Sequence, residues 1–169
     1  MATTNELLAT AAAAHESAAQ QMQALLDGLA GMKWMAVSDV GEAAQTILTD
    51  ELTLVNNMVF EAGNLPSSQW NGTVFTVGAG QAGMWFIDNG INILEETGES
   101  HEIWVNGSLL PDGKTTFWAP TGAGIANRIP HLKPWPLEDG DQVSLYYEQY
   151  SGVSRSSNGN RAFFLRLPG

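Results

Sequence analysis

The chain has no cysteine and only seven lysines and arginines among its 169 residues. The first absence excludes disulfides and thiolate metal sites, so nothing in the fold depends on an oxidising compartment. The second, set against 18 acidic residues and a net charge of -11, excludes a phosphate-backbone ligand, which needs clustered cations. Nucleic acid is not an expected partner, and the acidic balance serves solubility. No apolar run approaches the roughly 20 residues that span a bilayer, so no membrane insertion is expected. The N-terminus lacks a basic region, and its alanine-rich segment is interrupted by His15, Glu16 and several glutamines, which does not read as a secretory signal. The expectation is a chain that stays where it is made. Charged residues are sparse at 15%, while Gly, Asn, Thr and Ser are plentiful, a balance that suits a turn-rich β protein.

The stretch that orders the rest is Asn71 to Ile93, NGTVFTVGAGQAGMWFIDNGINI. It reads as a strand carrying Val74, Phe75 and Val77, a glycine-rich break from Gly78 to Gly83, and a second strand from Met84 to Ile93. The break also spells G-x-G-x-x-G, the signature of a dinucleotide site. That reading fails its context. Strand formers follow the glycines where a helix must receive the pyrophosphate, and Glu95 and Glu96 come too soon for the ribose contact.

Before this stretch, Thr4 to Leu29 predicts one helix, rich in Ala, Leu, Gln, Glu and Met, with Thr4 or Asn5 as N-cap and Gly28 and Gly31 as stops. Leu8, Ala11, His15, Ala18, Met22, Leu25 and Leu29 recur at alternating spacings of three and four, which is a heptad seam. A self-associating coiled coil and an amphipathic helix lying on its own domain or on another protein both fit. If three helices meet around a threefold axis, three His15 imidazoles converge. Burial and mutual repulsion then depress their pKa, and association weakens as pH falls below about 6.5. Replacing His15 with Leu should abolish that response; an unchanged acid response in light scattering would contradict it.

From Gly31 to Ser68 the pattern is less regular. MKWMAVSDV predicts a strand marked by Trp34 and Val37, while Glu42 to Leu54 fits either short strands or a short helix. After Ile93, HEIWVNG predicts a strand in which Ile103 and Val105 alternate with Glu102 and Trp104. Asn106-Gly107 and Asp112-Gly113 are turn dipeptides, the second preceding the strand TTFWAP, and Thr121 to Pro136 reads as a Gly- and Pro-rich loop. Two closing strands follow, with Val143, Leu145 and Tyr147 on one face, Ala162 and Phe164 on another, and Tyr146, Arg161 and Arg166 wet. Eight to ten short strands separated by turns favour a sandwich or jelly roll.

Taken together, the residues from Trp34 to the C-terminus resemble the trimeric jelly-roll head shared by the globular domains of complement's first component and the tumour necrosis factor ligands. The resemblance rests on N-G-T-V-F-T-V followed by A-G-Q-A-G-M-W-F, on Leu137-x-x-Gly140-Asp141-Gln142-Val143, and on the terminal strand AFFLRL. It covers roughly 130 residues, and the order and spacing of the set carry more weight than any one motif. It implies a mainly β, antiparallel jelly-roll sandwich with an N-terminal α-helix, homotrimeric through a large apolar face, with residues 1–31 as helical stalk and 32–169 as head. Bacteriophages use similar heads on virion proteins, as capsid knobs and as tail-fibre tips. The expected role is therefore capsid decoration, a cement or head-knob trimer on the capsid surface, made in the host cytoplasm and bound to the major capsid protein. The alternative is a tail-fibre tip recognising host-surface glycan.

No enzyme and no cofactor are expected. His15, His101 and His131 lie far apart, and each is expected at the surface or hydrogen-bonded. Asp139 and Asp141 lie in a turn and fall short of the six to eight oxygens calcium wants, so no metal is assigned. The sequons at Asn71 and Asn106 read as turns. Trp104, Trp118, Trp135 and Tyr147, with Tyr146 and Tyr150, exceed what a small core hides. They are candidates for a subunit interface or a sugar-stacking surface, Trp118 and Trp135 above all for the second.

Overall fold

A computed structural model describes residues 3–39, 44–93, 98–117, 125–130, 133–157 and 159–168. The chain divides into two compact units, residues 1–32 with Pro168, and Lys33–Leu167. The first is the helix α1, Thr4–Gly31, two residues longer than the sequence predicted. Strong helix formers fill it, and neither Gly nor Pro interrupts it before Gly28.

The second unit is a sandwich with thirteen strands among the described residues. In chain order they are β1 Lys33–Ser38, β2 Gln45–Ile47, β3 Thr53–Leu54, β4 Val59–Gly63, β5 Val74–Thr76, β6 Gly83–Ile93, β7 Glu99–Val105, β8 Ser108–Phe117, β9 Ile125–Pro130, β10 Trp135–Leu137, β11 Gln142–Gln149, β12 Arg155–Ser157 and β13 Arg161–Arg166. The first sheet runs β2-β12-β6-β13-β1-β4, with β9 and β10 also paired to β6. The second runs β3-β11-β7-β8, with β5 paired to β11. Every strand pair is antiparallel. The 11-residue β6 is long enough to border β13 along one edge and β9, β10 and β12 at successive points.

Alternate residues of each strand meet between the sheets, as the two-residue period of a pleated strand requires. From the first sheet come Met35 and Val37 of β1, Trp85 and Ile87 of β6, and Ala162 and Phe164 of β13. From the second come Phe75 of β5, Ile103 of β7, and Val143 and Leu145 of β11. The Phe75 ring stacks on Phe164 at 4.4 Å and leans on Trp85 at 5.3 Å, tying the two sheets together.

Several local expectations change. Thirteen strands stand where eight to ten were expected, because β2, β3, β10 and β12 have two or three residues each, too few to show a period. Between Glu42 and Leu54 the described residues form β2 and β3, not a helix. Asn106 and Gly107, with φ of 50° and 77°, make the two-residue hairpin turn from β7 to β8. Asp112-Gly113 does not separate two strands: β8 runs through it with Asp112 at a φ of 58°, and the pairing to β7 slips there between Glu102 and Trp104. Gly113 is required there, since a Cβ would sit 2.9 Å from the Ile103 carbonyl oxygen. The stretch expected to be loop from Thr121 to Pro136 contains β9 and most of β10.

Candidate assembly face

Adjacent residues of a strand point to opposite sides, so the pairs Trp85-Phe86 and Phe163-Phe164 each place one ring inward and one outward. Trp85 and Phe164 are fully buried, while Phe86 and Phe163 are partly exposed on the far side of the first sheet. The register lines up Trp34 of β1, Leu165 of β13 and Phe86 of β6 in one cross-strand row, and Ala36, Phe163 and Asp88 in the next. Trp34 and Phe163 rings approach to 5.7 Å. Met84, 40% exposed, extends the face beside Phe86. The edge strand β4 adds the exposed Val59, the register partner of Ser38. Partly exposed apolar side chains thus line this face, with Asp88 among them.

The opposite outer face, on the second sheet, is polar and aromatic. Trp104 lies against Tyr146 at 5.3 Å, and its Nε1 donates to Glu102 Oε2 at 2.8 Å. Lys114 Nζ lies 2.6 Å from Glu102 and 3.5 Å from Glu148, and the Tyr150 hydroxyl donates to Glu148 at 2.7 Å. The Glu102 hydrogen bond raises the Lys114 pKa, as expected for an amine held by a carboxylate.

The structure separates the aromatics that the sequence grouped. Trp104 is partly exposed on the second sheet. Trp135 is 3% exposed, paired in register with the buried Trp85, and its Nε1 donates to the Pro111 carbonyl at 3.0 Å. Tyr147 is 1% exposed and faces His101 between the sheets. Neither Trp135 nor Tyr147 can present a ring to a subunit or a sugar, because the core absorbs more aromatic volume than the sequence suggested. Trp118 lies outside the described residues. In the helix, Ala18, Met22 and Leu29 of the seam are exposed, as is Leu26, while the side chains of Leu8, Ala11, His15 and Leu25 lie outside the described ones. From the sequence Trp34 was read only as a strand marker, and none of Trp34, Phe86, Phe163 and Leu165 was assigned to an interface, although aromatic pairs within strands carried the signal.

The glycine-rich break has a defined occupant. The backbone N–H groups of Gly80, Gln81 and Ala82 donate to the Asp139 carboxylate at 2.6, 2.8 and 2.6 Å. The anion that such a loop cradles is therefore the protein's own, and these hydrogen bonds hold the Asp139 carboxyl below its usual range. Asp141 accepts from Asn106 Nδ2 and from the Glu138 backbone N–H, at 2.7 and 2.8 Å, so both aspartates fasten turns. Among the described residues no group of three or more His, Asp or Glu is placed to hold a metal ion. Because the folded pKa of Asp139 is depressed, its stabilisation is present above the unfolded value of 3.8 and lost as pH falls through the folded one. Asp139→Ala is expected to lower the melting temperature at pH 7, with the deficit shrinking toward pH 3; an equal deficit at both pH values in a calorimetric scan would contradict the assignment.

His101 is the largest departure on the second sheet. It was expected at the surface or hydrogen-bonded, and it is fully buried, its ring 4.6 Å from Tyr147 and its Nε2 3.1 Å from Glu99 Oε1. Burial pulls its pKa down to about 4.

No family model and no curated protein sequence matches the chain. Among solved structures, it is similar to an Eiger tumour necrosis factor from S. frugiperda, at a TM-score of 0.54 and 9% sequence identity over 80% of this chain and 92% of that one. At that identity the likeness concerns the fold alone. The head of this chain has the fold of a tumour-necrosis-factor-like antiparallel jelly-roll sandwich.

Proposed function

We propose that the chain forms a homotrimer through the outer face of its first sheet, and that the trimer is a bacteriophage virion protein that decorates the capsid and stabilises the shell by binding the major capsid protein. The observation that carries self-association is the row of Trp34, Leu165 and Phe86 with Phe163 beside it, an apolar surface facing away from the core. Leaving such a surface in water costs about 25 cal/mol per Å², and a stable contact hides about 800 Å² per partner. The exposed Met22, Leu26 and Leu29 on α1 supply a second apolar strip suited to bundling with copies of itself or to lying on the shell. The role in a virion is supported by the Ala- and Gln-rich helix and by the acidic chain with only seven lysines and arginines. On this reading the protein is made in the host cytoplasm and works on the capsid surface.

The experiment is co-sedimentation of the purified full chain with expanded capsids. Saturable binding, with shells that then resist heat or osmotic rupture, is the expected result; failure to pellet with any capsid form would overturn it. The second reading, a receptor-binding tip that recognises host-surface glycan, is favoured by one specific observation. Trp104 and Tyr146 form a partly exposed ring pair beside Glu102, Lys114 and Glu148, which suits stacking on a sugar face with hydroxyls meeting the charged groups. Glycan-array binding lost in Trp104→Ala would favour the tip over decoration.

A further inference from the structure

The space between the sheets is apolar at one end and polar at the other. On β7 the inward residues run Ile103, His101, Glu99, and their register partners on β11 are Leu145, Tyr147 and Gln149. The first sheet answers in kind: β6 passes from Ile87 to Asn89, β1 leads into Asp39, and Asn160 precedes β13. All seven polar residues in this chamber are at most 2% exposed.

Part of the cluster is hydrogen-bonded. Asn160 Nδ2 donates to Asp39 Oδ2 at 2.6 Å and to Ser157 Oγ at 3.1 Å, tying the end of β1 to the last turn. Gln149 donates to the Val153 carbonyl at 2.7 Å. The part around His101 is not. Neither ring nitrogen has an aligned hydrogen bond, although Nε2 is at ion-pair distance from Glu99, and the Tyr147 hydroxyl and the Asn89 amide have no protein partner either. Buried polar atoms left this way cost free energy, and a charge in their midst costs far more.

We propose that His101 is an acid sensor built between the two sheets, whose protonation loosens the polar end of the sandwich. A neutral imidazole fits this interior, edge-on to Tyr147. The groups facing it are Glu99 from its own strand, Tyr147 and Gln149 from β11, Asn89 and Asp88 from β6, Asp39 from beyond β1, and Thr115, its register partner on β8. The Asn89 backbone, the Asp88 charge and the Glu99 carboxylate 3.1 Å from Nε2 favour the imidazolium, while desolvation by burial opposes it and lowers the folded pKa to about 4. The sign follows. The unfolded chain takes up its proton near 6.5 and the folded chain does not, so His101 supports folding above 6.5 and that support drains away as pH falls toward 4. Asp39, whose carboxyl pKa burial raises, works in the opposite direction. The comparison must therefore isolate His101.

The test is the unfolding equilibrium of the full chain in urea at pH 7.5 and pH 5, for the unaltered protein and His101→Gln. His101 alone is expected to raise the unfolding constant about 30-fold between those pH values, and His101→Gln to lose most of that increase. The inference is independent of assembly if the measurement is repeated at concentrations where the chain is monomeric. A His101→Gln chain with the same acid response as the unaltered one would overturn it. Should the variant fail to fold, NMR titration of the His101 ring in the unaltered protein decides: a folded-state midpoint near 4 supports the sensor, and one near 6.5 refutes it.

Discussion

If the proposed trimer forms through the outer face of the first sheet, Phe163→Glu is expected to leave a folded monomer. Phe163 lies on the outward side of β13, against Trp34 and opposite Ala36 and Asp88 across the strands. In the monomer a carboxylate there reaches water, and the fold loses the Trp34 ring contact and sets a like charge opposite Asp88, each worth up to about 1 kcal/mol. In the trimer it is taken out of water among apolar side chains, with the Asp88 carboxylate as cross-strand neighbour, and an unpaired buried charge costs several kcal/mol at each of three symmetric contacts. Light scattering should fall from three chains of 18.1 kDa to one, with the circular dichroism spectrum unchanged. A trimer that survives the substitution would place the interface elsewhere.

One residue further along, the expected failure is of the other kind. Phe164→Ala removes a fully buried ring that stacks at 4.4 Å on Phe75 and lies 5.9 Å from Trp70. The cost combines lost burial with the cavity left between sheets that are held apart by Trp85 and Phe75, and such truncations cost about 3–5 kcal/mol. For a domain of this size that is a fall of roughly 6–20 °C in melting temperature. A fall of one or two degrees would mean that the neighbouring rings collapse into the gap. The two variants together separate assembly from folding at adjacent positions on a single strand.

How much of this was legible beforehand depended on period length. The strand pair from Asn71 to Ile93 could be read because it combines an aromatic alternation with a glycine break, and both survive as β5 and β6. The helix could be read because propensity alone specifies it over 28 residues. Strands such as β3, with two residues, leave no pattern to detect, and β9 and β10 hide in sequence whose glycines and prolines mimic a loop. His101 misled for a different reason. Polar residues in a strand normally face water, and only tertiary pairing with Tyr147 shows that this one faces inward. Two of the candidate aromatics were assigned to the wrong place. Trp135 and Tyr147 are core, whereas the ring-bearing surface on the first sheet belongs to Trp34, Phe86 and Phe163. That surface was visible in the doublets WF and FF, since a strand with large apolar residues on both sides must be covered on both.

The glycine-rich loop carries the same lesson at the level of chemistry. Three consecutive backbone N–H groups do form an anion cradle, as the G-x-G-x-x-G spacing suggests, but Asp139 closes it from 58 residues away along the chain at Gln81. A motif of donors is informative about the charge it holds, and the fold decides whose charge that is.

The most direct measurement of the central claim is an image reconstruction of capsids mixed with the purified full-length protein. The account predicts trimeric density at threefold or quasi-threefold positions, with Trp34, Phe86, Phe163 and Leu165 hidden between subunits and the helix touching the shell. Bound density whose subunits meet through any other face, or shells with no bound density at saturating protein, would contradict it.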